Sequence, residues 1–174
     1  MLGSRSARTG LTSRRHGFLA AALLALAACS PAASDAGTRP AANETARVHS
    51  ESGLAIVPVT VKSASGAHVF DAEVAATRSE QTRGLMFRTE MGADEAMIFP
   101  FEAPRQAGFW MKNTVIPLDI IFIGEDRRIL NIAANAVPYS EESVLSEGIA
   151  IAVLELNGGR AAELGIAAGD KVDW

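Results

Sequence analysis

Asp119-Ile120-Ile121-Phe122-Ile123-Gly124, followed by Glu125-Asp126 and then by Arg127 through Ala133, decides the fold. Two β-rich runs on either side of a short acidic pair predict a β-hairpin. Gly148 to Leu156 (GIAIAVLEL) is a third, longer β run. Ala96 to Phe101 and Gly108 to Thr114 are strand candidates. His68 to Ala75 alternates, with His68, Phe70, Ala72 and Val74 against Val69, Asp71 and Glu73. Ile56 to Val61 is β-rich, and Pro58 marks it as an edge because it has no N–H to donate. Lys171 to Trp174 closes the chain.

Two short helices interrupt this pattern. Thr77 and Glu80 have capping-box spacing and predict a helix from there to about Met86. Gly158 to Gly165 has room for one or two helical turns, with Gly165 suited to end them. Seven or eight short strands with two brief helices predict a mainly β domain, an antiparallel β-sandwich or barrel.

The chain is 174 residues long with a formal charge of −4, which argues against a nucleic-acid binder relying on a basic face. Residues 1–17 hold Arg5, Arg8, Arg14 and Arg15 and no acid, and Phe18 to Ala28 is an unbroken apolar run. That run is too short to cross a hydrocarbon core, which takes about 20 residues. Residues 1–28 therefore read as a signal peptide. The run ends Leu26-Ala27-Ala28-Cys29, which is similar to a bacterial lipobox, and Cys29 is the one Cys of the chain. Lipidation at Cys29 would anchor the protein to a membrane. Ser30 at the next position favours the outer membrane over the inner. Ser13-Arg14-Arg15 leaves the export route open between the general and the twin-arginine pathways. Residues 29–53 are poor in large apolar side chains and read as the lipidated Cys and a flexible tether. The domain is then 54–174, with 10 Lys+Arg against 17 Asp+Glu, a net of −7.

Several chemistries are excluded within this domain. It contains no Cys and a single His, His68, so thiol catalysis and a His/Cys zinc site are absent. There is no Gly-x-Ser-x-Gly, no phosphate-binding glycine loop and no EF-hand loop. No cofactor and no metal is called for. Asn157-Gly158-Gly159 before a helix is either an anion cradle or a plain turn.

The richest segment is RGLMFR (83–88), MIFPF (97–101), FWMKNT (109–114), IPLDIIFI (116–123) and LELNGG (154–159). In these stretches the sequence closely resembles domain-of-unknown-function family 192, in the right order over about 56–174. The resemblance implies a small, jelly-roll-like β-sandwich and no known activity. Pro138 to Glu147 is where the chain departs most from the family pattern.

If 108–114 is a strand, Trp110, Lys112 and Thr114 share one face. Asp119 opens an apolar run, so its carboxylate needs a partner, with Arg83, Arg88 or Lys112 as candidates. One reading is a shallow pocket in which Arg83, Arg88 and Lys112 grip an anion and Trp110 stacks on a ring or sugar, with Asn113 and Asp119 beside them. The other is a buried Asp–Arg or Asp–Lys pair that fixes a helix on the sheet, with Trp110 as core and Asn113 closing a turn with its side chain. The sequence thus points to a cell-envelope binding module for a small anionic or carbohydrate-like ligand, or for a protein partner. The alternative is an enzyme using Asp119 as acid/base with Lys112 or Arg83 as stabiliser.

Overall fold

A computed structural model of the chain describes residues 47–174. The segment expected to be a signal peptide, Cys29 and most of the expected tether lie outside the described residues. The elements run β1 (Ile56–Ser63), β2 (Gly66–Val74), α1 (Arg78–Arg83), β3 (Glu95–Phe109), β4 (Leu118–Gly124), β5 (Ile129–Ala136), β6 (Val144–Asn157), α2 (Arg160–Glu163) and β7 (Lys171–Asp173). The domain is mainly β with two short helices, as the sequence predicts.

The seven strands form one sheet in the order β5-β4-β6-β3-β2-β1-β7. It curls into a half-barrel whose two edges meet at one end. There the Ile129 N–H donates to Asp170 O at 2.9 Å and the Val172 N–H to Arg127 O at 2.8 Å. Neighbouring strands are antiparallel except β2 and β3, which are parallel. A parallel pair requires a crossover, and the segment carrying α1 supplies it. β7 covers only Thr60–Lys62 of β1, so Pro58 lies where β1 has a partner on one side alone.

The sheet is apolar on both faces. Every residue of β4 is buried. Alternation sends Ile121, Ile123, Ala152 and Leu154 into one layer and Ile120, Phe122 and Val153 into the other. The second layer also holds Met97 and Phe99 of β3, and is covered by Leu85, which follows α1, and Met111, which follows β3.

Several boundaries differ from the expected ones for local reasons. α1 has the predicted capping box, with the Thr77 hydroxyl accepting from Glu80 N–H and the Glu80 carboxylate from Thr77 N–H. It ends at Arg83 rather than Met86, because Gly84 turns the backbone to φ 46°. A Cβ at 84 would lie against the Phe99 ring at 3.4 Å, so the positive φ and not a clash is what favours glycine there. The two expected strands at 96–101 and 108–114 are one strand, β3, with irregular register between Pro100 and Gly108. That strand stops at Phe109. Residues 47–53, assigned to the tether, pack on the domain: the Ile56 N–H donates to Arg47 O at 2.8 Å.

Candidate functional site

α1, the bend that follows it and the middle of β3 enclose a groove of about 620 Å³. Gln81 fastens α1 to the strand by donating its side-chain amide to Ala75 O at 3.1 Å and Pro100 O at 2.8 Å. Leu85, Phe99 and Phe109 form apolar wall. The Phe99 and Phe109 rings meet edge to face at 5.1 Å, and Phe109 meets Phe122 the same way at 6.2 Å, which holds these walls in place.

Four cations line the groove: Arg78 and Arg83 from α1, Arg105 from β3 and Lys112 from the turn after β3. They are four of the ten cations in a domain of net −7, so the local charge opposes the overall one. Arg105 lies over the Phe101 ring, 4.0 Å from its centroid. Lys112 Nζ is 5.1 Å from the Trp110 ring and 3.8 Å from Glu141. Arg78 and Arg83 have no acidic side chain within ion-pair distance among the described residues. Trp110 stands at the rim, 45% exposed.

The groove reaches down to Glu155, a residue the sequence reasoning did not single out. Glu155 is on β6 between Met97 of β3 and Ile120 of β4, and only 4% of it is exposed. No hydrogen bond or ion pair is made to its carboxyl among the described residues. Burial alone pushes its pKa up to about 8, so at neutral pH the group is protonated and can donate a hydrogen bond. A signal was available in the sequence. The run IAIAVLEL is apolar at both parities, which marks a strand buried on both faces, and a Glu inside such a run has no solvated side to occupy.

Of the six residues singled out in the sequence, the structure brings Arg83, Trp110 and Lys112 to the groove. Residues 110–114 are not a strand, so Trp110, Lys112 and Thr114 do not share a strand face. They form a turn, with the Thr114 N–H donating to Met111 O at 3.0 Å and Asn113 in the left-handed region at φ 55°. Asn113 therefore closes the turn through its backbone, while its side-chain amide points at Met86 Sδ, 3.8 Å away. Its carbonyl accepts the Phe87 N–H at 2.8 Å and ties this turn to the bend after α1.

Arg88 lies elsewhere, buried in a charge network. It donates to Glu73 at 2.9 and 3.2 Å and lies 3.2 Å from Glu51. The Ser52 hydroxyl also donates to Glu73, and His49 Nδ1 lies 3.6 Å from it. This network holds the 47–53 segment against the sheet.

Asp119 is fully buried, and its partners are backbone amides rather than Arg or Lys. Oδ1 accepts from Asn135 N–H at 2.8 Å and Gly159 N–H at 2.9 Å, and Oδ2 from Ala161 N–H at 2.8 Å. Asp119 thus takes the donors at the start of α2 that an external anion would have used. Gly158 allows the close approach, since a side chain there would meet Asn135 and Pro117 at 2.9 Å. Among the described residues, no three His, Cys, Asp or Glu side chains converge as a metal site.

The family model for DUF192, an uncharacterised group, matches residues 59–174. A protein of unknown function from Novosphingobium aromaticivorans has a solved structure similar to this one, at 61% identity and TM-score 0.74. That match covers 76% of this chain and 94% of the other. A Sinorhizobium meliloti protein described provisionally as a transcription regulator is 40% identical, with TM-score 0.67, covering 69% of this chain and 94% of its own. A search of curated proteins finds no match.

Proposed function

The chain belongs to the DUF192 family, and on that premise we propose that it is a cell-envelope binding module whose groove takes a small anionic ligand. The observation that carries this reading is the gathering of Arg78, Arg83, Arg105 and Lys112 around an apolar groove in a domain of net −7. Guanidinium groups suit carboxylate or phosphate oxygens, and the half-exposed Trp110 offers a ring face at the rim. An acid–base enzyme built on Asp119 has no such support, because that carboxylate is sealed from solvent and engaged by three backbone amides. Nor does the regulator description of the Sinorhizobium relative transfer to this chain. Four cations facing into a groove are not the basic face that a duplex phosphate backbone requires.

The test is a thermal-shift titration of the purified protein with phenylacetate and phenyl phosphate, with benzyl alcohol as the neutral control. Both anions should raise Tm in proportion to the logarithm of their concentration once in excess, and salt should weaken the effect. The reading is overturned if neither anion shifts Tm, or if Arg83→Ala and Lys112→Ala leave the shift intact.

The envelope location rests on residues 1–29. We propose export through the signal peptide and lipid anchoring at Cys29. Cys29→Ala should leave the protein in the soluble periplasmic fraction or unprocessed. Processed Cys29→Ala protein that still fractionates with membranes would exclude this anchor.

A further inference from the structure

We propose that Glu155 is the ligand-selecting group of the groove. The site takes an organic acid with an apolar body whose far end carries a hydroxyl or carbonyl oxygen that hydrogen-bonds to the Glu155 carboxyl. This inference rests on the binding role proposed for the groove and adds the polarity of the ligand's buried end.

Three observations place the three parts of such a ligand. The cations Arg78, Arg83 and Arg105 are exposed, so the acid group belongs at the rim. Leu85, Phe99 and Phe109 form apolar wall between rim and floor, and the neutral polar side chains of the lining, Gln81, Thr82 and Thr114, already donate to main-chain carbonyls. At the floor is one polar side chain, Glu155, which is 96% removed from solvent and has no protein partner among the described residues. Its flanking neighbours across the strands, Met97 and Ile120, are apolar.

Among the described residues no sealed side-chain polar atom lacks a partner, so the carboxyl of Glu155, which has none, keeps its accessible surface on the groove it lines, and a carboxyl in so apolar a place calls for a role. Elsewhere in this domain the buried ionisable groups are satisfied. Asp119 takes three amides, and Glu73 takes Arg88 and Ser52. Glu155 is the exception, and it opens onto the groove. The ionisable side chains sharing that groove are Arg78, Arg83, Glu102, Arg105 and Lys112. None of them is within ion-pair distance of Glu155, so a ligand must bridge rim and floor. The protonated floor carboxyl would donate to a ligand oxygen and form a neutral bond that needs no counter-charge.

The experiment compares p-hydroxyphenylacetate with phenylacetate, which lacks only the hydroxyl. Each is titrated calorimetrically into the purified protein, Glu155→Leu and Glu155→Gln. The protein should bind the hydroxylated acid about two- to tenfold more tightly, the usual range for one added hydrogen bond. In Glu155→Leu the ratio should fall to about one, and Glu155→Gln should restore part of it, since its amide can still pair with a hydroxyl. Equal affinities for the two acids, or a preference that survives Glu155→Leu, overturn the role of Glu155 while the anion-binding groove stands. If neither acid binds, both readings fail. Loss of folding does not confuse the outcome, because leucine replaces an unpartnered carboxyl at an apolar position.

Discussion

The Asp119 carboxylate on β4 accepts the Ala161 N–H of α2 at 2.8 Å, and through this contact a side chain in the sheet does the work of a helix cap. Gly159, the residue before α2, has no side chain to provide one. The same carboxylate also holds β5 through Asn135 N–H. Asp119→Ala strips three buried amides of a charged acceptor and should cost about 3–5 kcal/mol. Asp119→Asn keeps an acceptor but must turn an NH₂ toward a donor, and should be intermediate. Urea denaturation measures both. A loss below about 1 kcal/mol for the alanine variant would mean that water replaces the carboxylate, against its full burial.

How far the sequence can be read follows from such contacts. The β4–β5 hairpin was legible because adjacent apolar runs and their turn are local, though β5 starts at Ile129 after Arg127 takes φ 60°. The burial of Asp119 was legible too, from the apolar run it opens. Its partners were not, since the Gly159 and Ala161 amides come from 40 and 42 residues away. The parallel pairing of β2 with β3 is likewise set by a crossover, not by any local pattern. FWMKNT looked like a strand because its aromatic residues favour one. Asn113 in the left-handed region instead turns the chain where Lys112 lines the groove, while Arg88, on another segment, is taken by Glu73.

Glu155 gives the fold a pH dependence of definite sign. In the unfolded chain it titrates near the ordinary 4.5, whereas in the fold burial pushes it up to about 8. Between these values the folded form keeps a proton that the unfolded form has released, so raising the pH favours unfolding. The loss sets in above about 4.5 and is complete above about 8, at up to about 1.4 kcal/mol per pH unit. Asp71 and Asp173, held below the usual carboxylate range by Arg47 and Lys62, act in the opposite sense and only at lower pH. Chemical denaturation should show the protein less stable at pH 8.5 than at pH 6, with Glu155→Gln nearly flat between them. Parallel profiles for the two proteins would remove Glu155 as the cause.

The Arg88–Glu73 pair should behave as a buried ion pair. Arg88→Met leaves the buried Glu73 carboxylate without its arginine, with only Ser52 and His49 beside it, and should cost about 3–5 kcal/mol, as should Glu73→Ala. The Arg88→Met/Glu73→Leu double variant should lose much less than the sum, because it leaves no orphan charge. Hydrogen exchange should also show the 47–53 segment released in either single variant, since Glu51, Ser52 and His49 all reach this pair. Strict additivity would show that the pair is decorative and that the segment is held by its backbone contacts alone.

Lys112 separates a binding residue from a structural one. Its Nζ is 3.8 Å from Glu141, in a pair exposed at both ends, and 5.1 Å from the Trp110 ring. Contacts of these kinds contribute little at a surface, so Lys112→Ala should lower stability by less than about 1 kcal/mol. The same substitution removes one of four positive charges from the groove and should weaken binding of phenylacetate several-fold, most clearly at low salt, where screening is least. Charge reversal of Glu141 by Glu141→Lys frees Lys112 from its partner and adds a cation nearby, so it should strengthen binding. If Lys112→Ala instead costs several kcal/mol and leaves phenylacetate affinity unchanged, the lysine serves the fold, and the anion is held by the arginines of α1 and β3.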